Sequence, residues 1–74
     1  MLSKANFNVV YTIQNICKNI DIKIKTRLLE LGFFEGEKII VLAKSLAGGV
    51  LLVEIRGQVL SLRIIEASCV VIYE

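Results

Sequence analysis

Apolar residues recur at every second position over much of this chain. In residues 50–56, VLLVEIR, Leu51, Val53 and Ile55 fall on one face, with Leu52, Glu54 and Arg56 on the other. That period predicts a strand buried on one side. Residues 7–13, FNVVYTI, are rich in β-branched and aromatic side chains and predict the first strand. Its inward set is Phe7, Val9, Tyr11 and Ile13, and Asn8, Thr12 and Gln14 face outward. Residues 37–44 predict strand 2, and 45–49, SLAGG, a loop into strand 3. Arg56-Gly57 makes a tight hairpin into strand 4, residues 58–62. A short helical turn over 63–68 leads to strand 5, residues 69–74.

The period changes in residues 21–32, DIKIKTRLLELG, where Ile24, Leu28 and Leu31 follow at helical steps. Asp21 suits the N-cap, because its carboxylate can accept a backbone N–H of the first turn. Arg27 and Glu30 are three apart and are expected to pair on the solvent side. Gly32 sits where a left-handed residue would end the helix without a Cβ clash. Gly36 then supports a tight turn into strand 2. The whole pattern is mainly β: a single domain over residues 1–74, a small bent five-stranded barrel. One helix lies between strands 1 and 2, and one turn precedes the last strand.

Strand 2 breaks the simple alternation. It is apolar on both faces, Ile39, Val41 and Ala43 against Ile40 and Leu42, and a strand covered on one side hides one set. Leu52 shares the outward parity of strand 3. Phe34, Ile40, Leu42 and Leu52 are therefore candidates for a partner-binding patch, with Arg27 on the basic helix face as a docking charge for an acidic partner. The competing reading is that the helix or the Leu46 loop covers this face and makes it ordinary core.

Composition sharpens this picture. Hydrophobic residues make up 55% of only 74, mean hydropathy is +0.70, and so small a core leaves some apolar surface exposed. The longest apolar run, residues 46–53, is far short of the roughly 18 a membrane span needs, so no direct membrane insertion is expected. The N-terminal stretch has no secretory-signal pattern. A net charge of +2 gives no basic stripe for nucleic acid. With no histidine and scattered carboxylates, the sequence predicts neither catalysis nor a dedicated metal site or cofactor. Cys17 and Cys69, far apart in sequence, read as two reduced apolar cysteines.

Arg27, Leu28, Leu31, Gly32 and Gly36, followed by Gly57, Leu60, Leu62, Arg63, Glu66 and Ala67, occur in one order at one spacing. In this the chain resembles the bacterial ferrous iron transport protein A family, FeoA. It departs at Glu35, where members often carry proline before the turn glycine. The resemblance implies an SH3-like barrel. It also implies a cytoplasmic accessory role in ferrous iron uptake, through contact with the membrane-bound ferrous iron transporter that carries a GTP-binding domain. Self-association stays open. The alternative is a free-standing transition-metal-binding or metal-sensing domain, related to the C-terminal domain of metal-dependent repressors.

Overall fold

The computed structural model describes residues 1–73. After a 3-10 turn at Leu2–Lys4 come β1 (Val10–Ile16), α1 (Ile22–Glu30), β2 (Lys38–Lys44), β3 (Val50–Ile55), β4 (Gln58–Arg63), α2 (Ile64–Ala67) and β5 (Val70–Tyr73). The five strands form one antiparallel sheet in the order β4-β3-β2-β1-β5. The expected strand count, helix insertion and final turn are all present. The strand ladder itself is open, with β4 and β5 at its edges, and α2 carries the chain from one edge to the other. No helix among the described residues is long and apolar enough to cross a membrane. The predicted last residue of strand 5, Glu74, lies outside the described residues.

The core collects the inward positions. Ile39, Val41, Leu51, Val53, Ile55 and Leu62 are buried from the sheet, Leu28 and Ala67 from the helices, and Phe33 from the turn after α1. Asp21 caps α1, its Oδ1 accepting the Lys23 N–H at 2.8 Å. The other end stops as a paired backbone motif: Phe33 N–H donates to Leu28 C=O and Gly32 N–H to Leu29 C=O, both at 3.0 Å. These bonds define a Schellman cap, with Gly32 at φ +97°. Leu28 and Phe33, the two positions that such a cap brings into apolar contact, belong to one core cluster.

Glu37 N–H donates to Phe34 C=O at 3.1 Å, with Gly36 at φ +89°. A positive φ at the third position marks a type II turn, whose second position favours proline. That position is Glu35, exposed and outside the hydrogen-bonded backbone. Glu35→Pro is therefore expected to stabilise the fold by about 0.4–1 kcal/mol, by restricting the unfolded chain. A urea midpoint that falls instead would show that φ at Glu35 is not proline-like.

Three expectations are corrected. Strand 1 begins at Val10, and Phe7 and Val9 are exposed. The chain enters through Asn8 at φ +60°, which asparagine tolerates better than most residues, so the alternation does not extend upstream. Ala43 is exposed and does not share the inward face of Val41. A β-bulge is the cause: Val41 opposes Val53 and Ala43 opposes Leu52, so Leu42 has no opposite residue and the parity flips. Finally, Arg27 does not pair with Glu30. Its Nε lies 3.1 Å from Glu66 Oε2.

Candidate protein-docking surface

The outer face of the sheet is built from cross-strand rows. Val10 opposes Ile40, Ile40 opposes Glu54, and Glu54 opposes Val59, so one row crosses β1 to β4. Val10 and Val59 are 59% and 58% exposed, and Ile40 is half-buried. The bulge brings Ala43 into a second row, Ala43-Leu52-Ser61, in which Leu52 is 37% exposed. Diagonal neighbours on one sheet face lie about 7–8 Å apart, within reach of branched side chains. Ile40, Leu52 and Val59 thus flank Glu54, with Val10 on the far side of Ile40. On the far side lies a polar row, Tyr73-Thr12-Lys38, in which Lys38 Nζ and Thr12 Oγ1 are hydrogen-bonded at 2.6 Å.

Phe34 is exposed at the end of the helix stop, on a groove of about 350 Å³ that it lines with Leu29, Leu31 and Arg56. A second depression of about 250 Å³ is lined by Val10, Ile40, Glu54 and again Arg56. Arg56 therefore joins the Phe34 groove to the sheet face. It sits at the β3–β4 hairpin tip with φ +53°, followed by Gly57 at φ +77°. Two positive φ values in a two-residue loop are those of a type I′ turn, where asparagine or glycine is usual. Its side chain lies over Gly32, so that a Cβ there would stand 3.0 Å from Arg56 Cδ. Its Nη1 is 3.9 Å from Glu37 Oε1.

The candidate residues therefore divide. Ile40 and Leu52 share the outer face, Phe34 lies beyond Arg56, and Leu42 is half-buried in the bulge. Leu46 is fully exposed, so its loop does not cover the sheet. Arg27 stands apart, tied to Glu66. Sequence reasoning missed Val10, Val59 and Arg56. For Val59 a signal existed: it alternates with Leu60 and Leu62 in strand 4, which sets it outward. Nothing local marks Arg56. Among the described residues no group of three or more His, Cys, Asp or Glu side chains is placed to hold a metal ion.

The FeoA domain model matches residues 1–74. No curated protein sequence matches the chain. Among solved structures, FeoA of Stenotrophomonas maltophilia complexed with zinc, an SH3-domain protein, is 34% identical. It has a TM-score of 0.83, with 97% of this chain and 87% of that one covered. FeoA from Chlorobium tepidum is 24% identical with a TM-score of 0.85, covering 97% and 67%. A manganese-dependent transcriptional repressor in complex with manganese is 19% identical with a TM-score of 0.86. There 97% of this chain matches 34% of that one, a likeness of fold alone.

Proposed function

The chain belongs to the FeoA domain family, and from that premise we propose that it is a small cytoplasmic accessory protein of ferrous iron uptake. It acts by binding the membrane-bound ferrous iron transporter at its GTP-binding domain, not by catalysis. The observation that carries the reading is the apolar surface on the outer sheet face, Val10 and Ile40 on one side of Glu54 and Val59 on the other, with Leu52 beside it, left uncovered by helix or loop. Uncovered apolar faces on small domains mark interaction sites. Phe34, across Arg56, extends the surface and supplies the aromatic anchor that such interfaces favour. Glu54 and Lys38 supply the charges that fix orientation. The chain has no histidine, which removes the commonest general base and a common metal ligand.

The test is binding to the purified GTP-binding domain of the transporter. Val59→Ser and Leu52→Ser are each expected to weaken binding at least about tenfold, while stability changes by under about 1 kcal/mol because both side chains are partly solvated. Unchanged affinity in both variants would remove the sheet face from the interface. Loss of stability by several kcal/mol would show that it is core.

A further inference from the structure

Cys17 and Cys69 are remote in sequence and opposed in the fold. β1 and β5 run antiparallel with Ile16 opposite Val70, so the next step places Cys17 opposite Cys69. Cys17 N–H donates to Cys69 C=O at 2.8 Å. The pair lies one step beyond the ends of β1 and β5 and makes one of the two possible backbone bonds. Opposed antiparallel residues stand about 4.5–5.5 Å apart between Cα atoms, inside the roughly 4.4–6.8 Å range of disulfides. The two thiols are neighbours, close enough for Cys17 to perturb Cys69. Both are free and half-buried, so small reagents reach them. Cys69 is held from its other side too, its N–H donating to Glu66 C=O at 3.1 Å.

We propose that Cys17 and Cys69 form a redox-modification site that closes to a reversible intrachain disulfide on exposure to a peroxide-class oxidant. Cys17 sulfur attacks one peroxide oxygen and the O–O bond breaks, leaving Cys17 sulfenic acid and one water. Cys69 sulfur then attacks Cys17 sulfur. The S–S bond forms, the S–O bond breaks, and the departing hydroxide takes the Cys69 proton as a second water. The two thiols together lose two electrons and the peroxide gains them. A dithiol reductant reopens the bridge by exchange. Burial, and then the neighbouring Cys17 thiol, push the Cys69 thiol up to about 11, which makes it the poorer nucleophile toward peroxide and leaves the first step to Cys17. The backbone needs little movement because the strand pairing already sets the spacing.

The experiment treats the reduced full-length protein with hydrogen peroxide and follows intact mass, thiol titration and peptide mapping without reductant. The expected product has lost two hydrogens, shows no titratable thiol, and yields one peptide pair linked through Cys17 and Cys69. Dithiothreitol reverses all three, and the thermal midpoint is higher in the oxidised form. Cys69→Ser should stop at the Cys17 sulfenic acid, trapped by dimedone. Oxygen addition without a bridge in the native protein, or a bridge formed between two chains, would overturn the proposal.

Discussion

Arg27→Met is expected to destabilise the fold by about 2–3 kcal/mol, as removal of the counter-ion of a buried carboxylate. Glu66 is completely buried. Its Oε1 accepts the Arg63 N–H at 2.9 Å, which caps α2. Its Oε2 has no aligned hydrogen-bond partner among the described residues. It is balanced by charge alone, from Arg27 Nε at 3.1 Å and Arg63 Nη2 at 3.7 Å. Breaking a buried pair from one side costs about 3–5 kcal/mol, and the lower figure here reflects an Arg27 side chain that is 49% exposed. Glu66→Gln keeps an oxygen for the cap and removes the charge. Combined with Arg27→Met it should recover part of the loss, which a double-mutant cycle in urea would measure as a coupling of about 1 kcal/mol or more. A change below about 0.5 kcal/mol for Arg27→Met would mean that Arg63 suffices as counter-ion.

Gly32→Ala should destabilise by at least about 1–2 kcal/mol, since an L-residue meets steric strain in the left-handed region. Its φ of +97° is one component, and the contact its new Cβ would make with Arg56 Cδ at 3.0 Å is the other. The two separate in an Arg56→Ala background, where the contact is gone and the dihedral is not. There Gly32→Ala should still lower the urea midpoint, by a smaller amount. A penalty that disappears in that background would show that the packing of Arg56, and not the Schellman turn, requires glycine.

The strands and helix were legible because their apolar periods differ, and Asp21 and Gly32 mark the helix ends. The Arg27–Glu66 pair was not, although both residues belong to the spacing that carries the family resemblance. Nothing in the spacing reveals that Arg27 reaches Glu66, so the sequence offers Glu30 or an acidic partner for it instead. The outer face was partly legible. Parity places Leu52 and Ile40 there, but the bulge at Leu42 shifts Ala43 to the opposite face without any glycine or proline to announce it. The cysteine pair was hidden for the same reason as the ion pair: which strands become neighbours is a property of topology, not of periodicity.

That topology has a kinetic side. β2, β3 and β4 form a meander whose neighbours are joined by short loops, so their pairing closes little chain. β1 and β5 pair Thr12 with Tyr73, across almost the whole sequence. Closing so long a loop is entropically expensive and is repaid only once the pairing is made. Folding of such non-local sheets is slow for their size, on the order of milliseconds to seconds. The meander is therefore expected to assemble first, with β1 keeping an open edge until β5 docks on it. Among the described residues, the late step of folding is the one that brings Cys17 to Cys69, and an oxidised chain would enter that step with its two strands already held together.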